Sequence, residues 1–129
     1  MLKGSCLCGG IRYEIDANLG PVTNCHCIQC RKASGASFAT NASVPSGSFR
    51  FVIGADLLRA WESSPGIRRC FCGRCGSQIL KRKDASPEII RLRLGTLDTD
   101  PGVKPSKHIF VGSKAAWLEI TDDLPVFEK

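Results

Sequence analysis

Eight cysteines in a chain of 129 residues fall at positions 6, 8, 25, 27, 30, 70, 72 and 75, in three tight clusters. Disulfide frameworks scatter their cysteines because partners come from separate segments, whereas C-x-C and C-x-x-C spacings gather thiols around one ion. Whatever this chain folds into must therefore bring distant clusters together around metal. Seven or eight thiols in two groups fit two zinc sites more simply than an iron–sulfur cluster. The N-terminus, MLKGSC, lacks an apolar signal core, and no apolar run approaches a membrane span. A reducing, cytoplasmic location is expected, which also disfavours disulfides.

The central stretch, Asn24 to Phe38, reads NCHCIQCRKASGASF. Cys25, Cys27 and Cys30 can fill three corners of a zinc tetrahedron and leave the fourth open, the mark that separates catalytic from structural zinc. His26 lies inside the motif, but neighbours in an extended chain point to opposite faces, so it is either a fourth ligand or a satisfied polar residue. Arg31 to Gly35 reads as a short helical turn ended by glycine. Its free N–H groups would favour thiolate over thiol. Arg31 and Lys32 either add to that field and meet an anionic substrate, or form a solvated basic turn.

Cys6 and Cys8 lie in GSCLCGG and share one face of an extended segment; alone they are half a site. Cys72 and Cys75 lie in FCGRCGS, the form of a zinc knuckle, in which a tight turn aims backbone N–H groups at the sulfurs. Pairing the two halves gives a closed four-thiolate site. Closing the chain between Cys8 and Cys72 costs about 3.7 kcal/mol on a logarithmic estimate, against roughly 10 kcal/mol or more from structural zinc. Cys70 complicates the count, because Cys70-Phe71-Cys72-x-x-Cys75 repeats the spacing of Cys25 to Cys30. Spacing alone leaves open which triplet supplies three ligands.

The formal net charge of +6 would suggest an acidic partner. Seven ligating thiolates and two zinc ions bring it to about +3. Dispersed over the chain, with aromatics at 7%, that charge makes no case for nucleic acid.

Between the clusters, short alternating runs bounded by turn formers predict an all-β domain spanning residues 1–129. Ile11 to Ile15 is one strand, and Val22 to Cys27 is expected to run antiparallel to it. SFATNASV, FRFVIG, LLRAWES, Ile67 to Phe71 and Ser77 to Lys81 follow. Glu88 to Leu97 is an apolar strand with Arg91 and Arg93 on one face. His108 opens a last strand and is either structural or an approach to a zinc site. No serine, histidine and carboxylate arrangement suggests another chemistry.

GSCLCGGIRYEI, CHCIQCRKASGA, FCGRCGS and the C-terminal HIF, SKAAW and DDLPVFE segments together resemble the glutathione-dependent formaldehyde-activating enzyme family, which includes centromere protein V. The resemblance covers nearly the whole chain. It implies an Mss4-like β-tent of small antiparallel sheets stapled by zinc. It also implies a structural zinc on Cys6, Cys8, Cys72 and Cys75, and a catalytic zinc on Cys25, Cys27 and Cys30. Cys70 departs from the family pattern and is read as an extra thiol. The implied activity is that of a carbon–sulfur lyase or synthase joining glutathione and formaldehyde into S-hydroxymethylglutathione. A zinc-stabilised binding module without catalysis is the alternative.

Overall fold

Alternation of apolar and polar residues over short runs builds strands, and the computed structural model, which describes residues 1–129, contains ten. They are β1 (Leu2–Ser5), β2 (Arg12–Ile15), β3 (Val22–Cys25), β4 (Ala39–Pro45), β5 (Phe49–Ile53), β6 (Leu58–Ser64), β7 (Ile67–Cys72), β8 (Gln78–Lys83), β9 (Ile89–Arg93) and β10 (Lys107–Ile109). One helix, α1 (Ile28–Ser34), follows β3. Strands β1-β2-β5 form a three-stranded sheet, and β10-β3-β4-β9-β8-β7-β6 a seven-stranded one. The fold is mainly β, and every pairing is antiparallel except β10 with β3.

Two sequence expectations need correction. Strand β3 does not pair with β2: it lies between β4 and β10 in the larger sheet. The reason is burial, since all four β3 residues are covered and need partners on both edges. The Glu88–Leu97 strand is shorter, Ile89–Arg93, and passes into a 3-10 turn at Leu94–Thr96.

The core lies between the sheets. Ile11, Tyr13 and Ile15 come from the small-sheet side, and Val44, Cys70, Cys72, Leu80, Ile90 and Leu92 from one face of the large sheet. Because successive strand residues alternate in face, the intervening residues Ser43, Arg69, Lys81 and Arg91 point the other way. That second face carries the chemistry described below.

Helix α1 starts where Cys27 takes the N-cap position, its sulfur accepting from the Cys30 N–H at 3.2 Å. It ends at Gly35, whose φ of 67° is left-handed, the C-terminal stop that glycine favours. The chain end returns to the same region. His108 N–H donates to the Pro125 carbonyl and Phe127 N–H to the His108 carbonyl, at 2.9 and 3.0 Å.

Candidate metal centres and the basic groove

The four-thiol centre is assembled from two turns. Cys6 and Cys8 follow β1, Cys72 ends β7, and Cys75 lies in the turn beyond it. All four sulfurs lie within 4.8 Å of one another. Backbone donors point at them as a knuckle requires: Ile11 N–H to Cys6 Sγ at 3.3 Å, Gly10 N–H to Cys8 Sγ at 3.4 Å, and Arg74 N–H to Cys72 Sγ at 3.4 Å. Burial pushes the Cys6 thiol up, while the Gly10 N–H and then the Arg74 guanidinium lower Cys8. Hydrogen bonds from Ser77 bring Cys75 down to about 5. Four converging soft donors suit a closed tetrahedral ion such as zinc.

The three-thiol centre sits on the opposite face of the large sheet. Cys25 ends β3, Cys27 caps α1 and Cys30 lies in its first turn, with sulfurs again within 4.8 Å. Cys30 is lowered to about 4, first by the Cys25 thiol donating to it and then by Arg69, whose Nη1 approaches its sulfur at 3.6 Å. Cys25 is pushed up for the same reason, since it gives its S–H to Cys30, and burial adds to the effect. Three thiols can hold a metal and leave one position for a further ligand.

The remaining sequence candidates separate clearly. Cys70 belongs to neither cluster; it is fully buried in the core, with Arg82 Nη2 donating to its sulfur at 3.4 Å. His26 also lies outside the thiol cluster and is fully buried, its Nε2 2.8 Å from Nδ1 of His108. His108 Nε2 in turn lies 2.9 Å from Asp122 Oδ2. Neither this chain nor the part played by Asp122 is legible in the sequence, where its members are far apart. Neither histidine lines the groove next to the thiols. Arg31 is turned to the C-terminal segment, donating to the Ser113 carbonyl at 2.9 Å and stacking on Trp117 at 5.2 Å. The cation beside the three-thiol cluster is Arg69, not Arg31.

Cys25 and Cys27 open onto a groove of ≈ 760 Å³ on the outer face of the large sheet. Arg69, Lys81 and Arg91 line it, with Lys83 and Lys107 also at its walls, and no aspartate or glutamate does. Arg69 pairs with Lys81 across β7 and β8, and Lys81 with Arg91 across β8 and β9. Burial pushes the Lys81 ammonium down. Arg91 stands out in the sequence as a strand cation but the row does not; its signal is cations at alternate positions of three consecutive strands.

The chain is similar to known proteins along most of its length. The family model described as "Glutathione-dependent formaldehyde-activating enzyme" matches residues 1–113. A Halomonas elongata protein that carries the family's name is 31% identical over 129 aligned residues, covering 93% of this chain and 81% of its own length. A Podospora anserina protein of the same name is 30% identical over 79 residues, 60% of this chain and 37% of its own length. The crystal structure of a Rhodobacter sphaeroides protein superposes with a TM-score of 0.61 at 26% identity, covering 80% of this chain and 91% of that one. By sequence along most of its length and by the match to the family model, the chain belongs to the glutathione-dependent formaldehyde-activating enzyme family.

Proposed function

We propose that this protein is a zinc-dependent enzyme that forms or breaks a carbon–sulfur bond on a thiol, with glutathione and formaldehyde giving S-hydroxymethylglutathione as the leading case. The observation that carries the reading is the contrast between the two centres. The four-thiol cluster is filled by its own chain, whereas the three-thiol cluster opens on a basic groove.

In this reading Cys6, Cys8, Cys72 and Cys75 hold a structural zinc, and Cys25, Cys27 and Cys30 hold the catalytic one. A zinc ion on three thiolates supplies an open coordination position and a positive charge that favours the thiolate form of an added sulfur. The protein's own part is positioning. Arg69 holds Cys30 Sγ and, through Nη2 at 3.2 Å, the Gln29 side chain, which fixes the first turn of α1 against the sheet. Groove cations retain an anionic thiol beside Cys25 and Cys27, and holding two reactants together replaces a bimolecular encounter.

The reaction is an addition. The sulfur electron pair forms the C–S bond, the carbonyl π pair moves to oxygen, and the proton lost by the thiol ends on that oxygen. Nothing is oxidised. The test is the rate of adduct formation above the spontaneous reaction, alongside zinc per chain. Cys25→Ser is expected to lose both the excess rate and one zinc. A variant that keeps both sinks the assignment, and one zinc per wild-type chain that is indifferent to glutathione supports a non-catalytic binding module instead.

A further inference from the structure

Directly opposed like charges on neighbouring strands destabilise a sheet, yet Arg69, Lys81 and Arg91 stand in one register row across β7, β8 and β9. Lys83 and Lys107 bring the groove's cations to five, and none of the five has a carboxylate partner anywhere in the chain. A zinc ion on three thiolates contributes a net charge of about −1, which leaves most of this charge unanswered.

The row is also held in place. Arg91 donates to Ser43 Oγ at 2.5 Å and to Thr23 Oγ1 at 2.8 Å. Arg69 is tied to Ser63, Gln29 and Cys30. Of the three, only the Lys81 ammonium makes no hydrogen bond to the protein, so its three donors are available to a ligand in the groove. Two pinned guanidinium groups flanking a free ammonium, with a thiol-binding centre at one end, form a receptor for anionic groups on a sulfur compound.

We propose that the Arg69–Lys81–Arg91 row determines substrate specificity by binding the acidic groups of a thiol that carries at least two of them, and that the groove does not recognise the substrate's amino group. The second half follows from the lining, which offers no carboxylate to pair with an ammonium. The preferred substrate class is a polyanionic thiol or its adduct, with or without a free amine. The inference rests on the reading of Cys25, Cys27 and Cys30 as a thiol site.

The test is calorimetric titration of the zinc-loaded protein with S-methylglutathione, its N-acetyl derivative and its dimethyl ester, which all lack the S–H. The N-acetyl compound is expected to bind as tightly as S-methylglutathione or tighter, and the diester to bind about tenfold more weakly or worse. Lys81→Gln is expected to weaken the diacid by about tenfold and leave the diester unchanged. A merely structural Lys81 would weaken both alike. A diester equal to the diacid, loss of binding on N-acetylation, equal weakening of both ligands by Lys81→Gln, or no binding of S-methylglutathione at all would each overturn the proposal. Glutathione entering the metal's coordination sphere while the diester equals the diacid removes the row's role and leaves the thiol-site reading standing. Glutathione failing to enter that sphere removes the reading itself.

Discussion

His26 Nε2 lies 2.8 Å from His108 Nδ1, and with both rings neutral the order of partners fixes where the protons sit. The Asp122 carboxylate only accepts, so His108 carries its proton on Nε2 and presents a bare Nδ1. His26 must then donate from Nε2, and its Nδ1 is left buried without a partner. Both imidazoles are thereby Nε2–H tautomers. Nitrogen-resolved NMR should show this pair of tautomers in the wild type, and Asp122→Ala should release His108 from it. Because the His108 backbone also holds Pro125 and Phe127, amide exchange at Phe127 should quicken in the same variant. Unchanged tautomers and unchanged exchange would mean that Asp122 positions nothing.

The two metal centres should respond differently to losing a sulfur. Cys72 is fully buried, ends β7 beside the core, and joins the N-terminal turn to the middle of the chain. Removing a ligand there forfeits much of a metal's binding energy, on the order of 10 kcal/mol, which is comparable with the whole stability of a domain. Cys72→Ser should fail to accumulate as folded protein. Cys30→Ser lies beyond the main core cluster and should remain folded with one zinc fewer. Zinc per chain together with circular dichroism separates these outcomes, and a folded Cys72→Ser carrying two zincs would contradict the stapling role.

Much of the clustering of thiols was legible from spacing, because side chains gathered within one turn are close in sequence. Cys25, Cys27 and Cys30 needed no tertiary information, and neither did the knuckle at Cys72 and Cys75. The pairing of Cys6 and Cys8 with that knuckle followed from counting halves. Partners chosen by sheet topology were not legible. Placing β3 beside β10 depends on a segment some eighty residues later, and that placement is what brings His108 and Asp122 to His26. The cation row needed the register of three strands, which alternation alone does not supply.

Gly4 illustrates a close approach that alternation hides. A Cβ at this position would stand 2.1 Å from the Cζ atom of the Tyr13 ring, and that ring is 1% exposed with Phe49 stacked on it at 4.9 Å. The ring has nowhere to move. Gly4→Ala should therefore cost about 1–3 kcal/mol, the usual range for overpacking. Denaturant melts compared at equal m-value would measure it; a loss under half a kilocalorie would show that the three-stranded sheet yields easily.

Tyr13 gives the fold an alkaline limit with a defined sign. Burial raises its phenol from about 10 to about 12, partly offset by the hydrogen bond with Thr96 Oγ1 at 2.6 Å. A group whose folded pKa is raised contributes stability that is intact below its unfolded value and lost as pH climbs toward the folded one. In this case the window runs from about pH 10 to about pH 12. In that window the unfolded chain ionises its phenol while the folded chain does not, which favours unfolding by about 2–3 kcal/mol by the upper end. Thiols titrate nearby, so the informative quantity is the stability difference between wild type and Tyr13→Phe, in which their contributions cancel. That difference should be flat below pH 9 and shift steadily against the wild type above pH 10. Tyr13 is the chain's one tyrosine, so tyrosinate absorbance reports it alone, and ionisation near pH 10 in the folded protein would remove the effect.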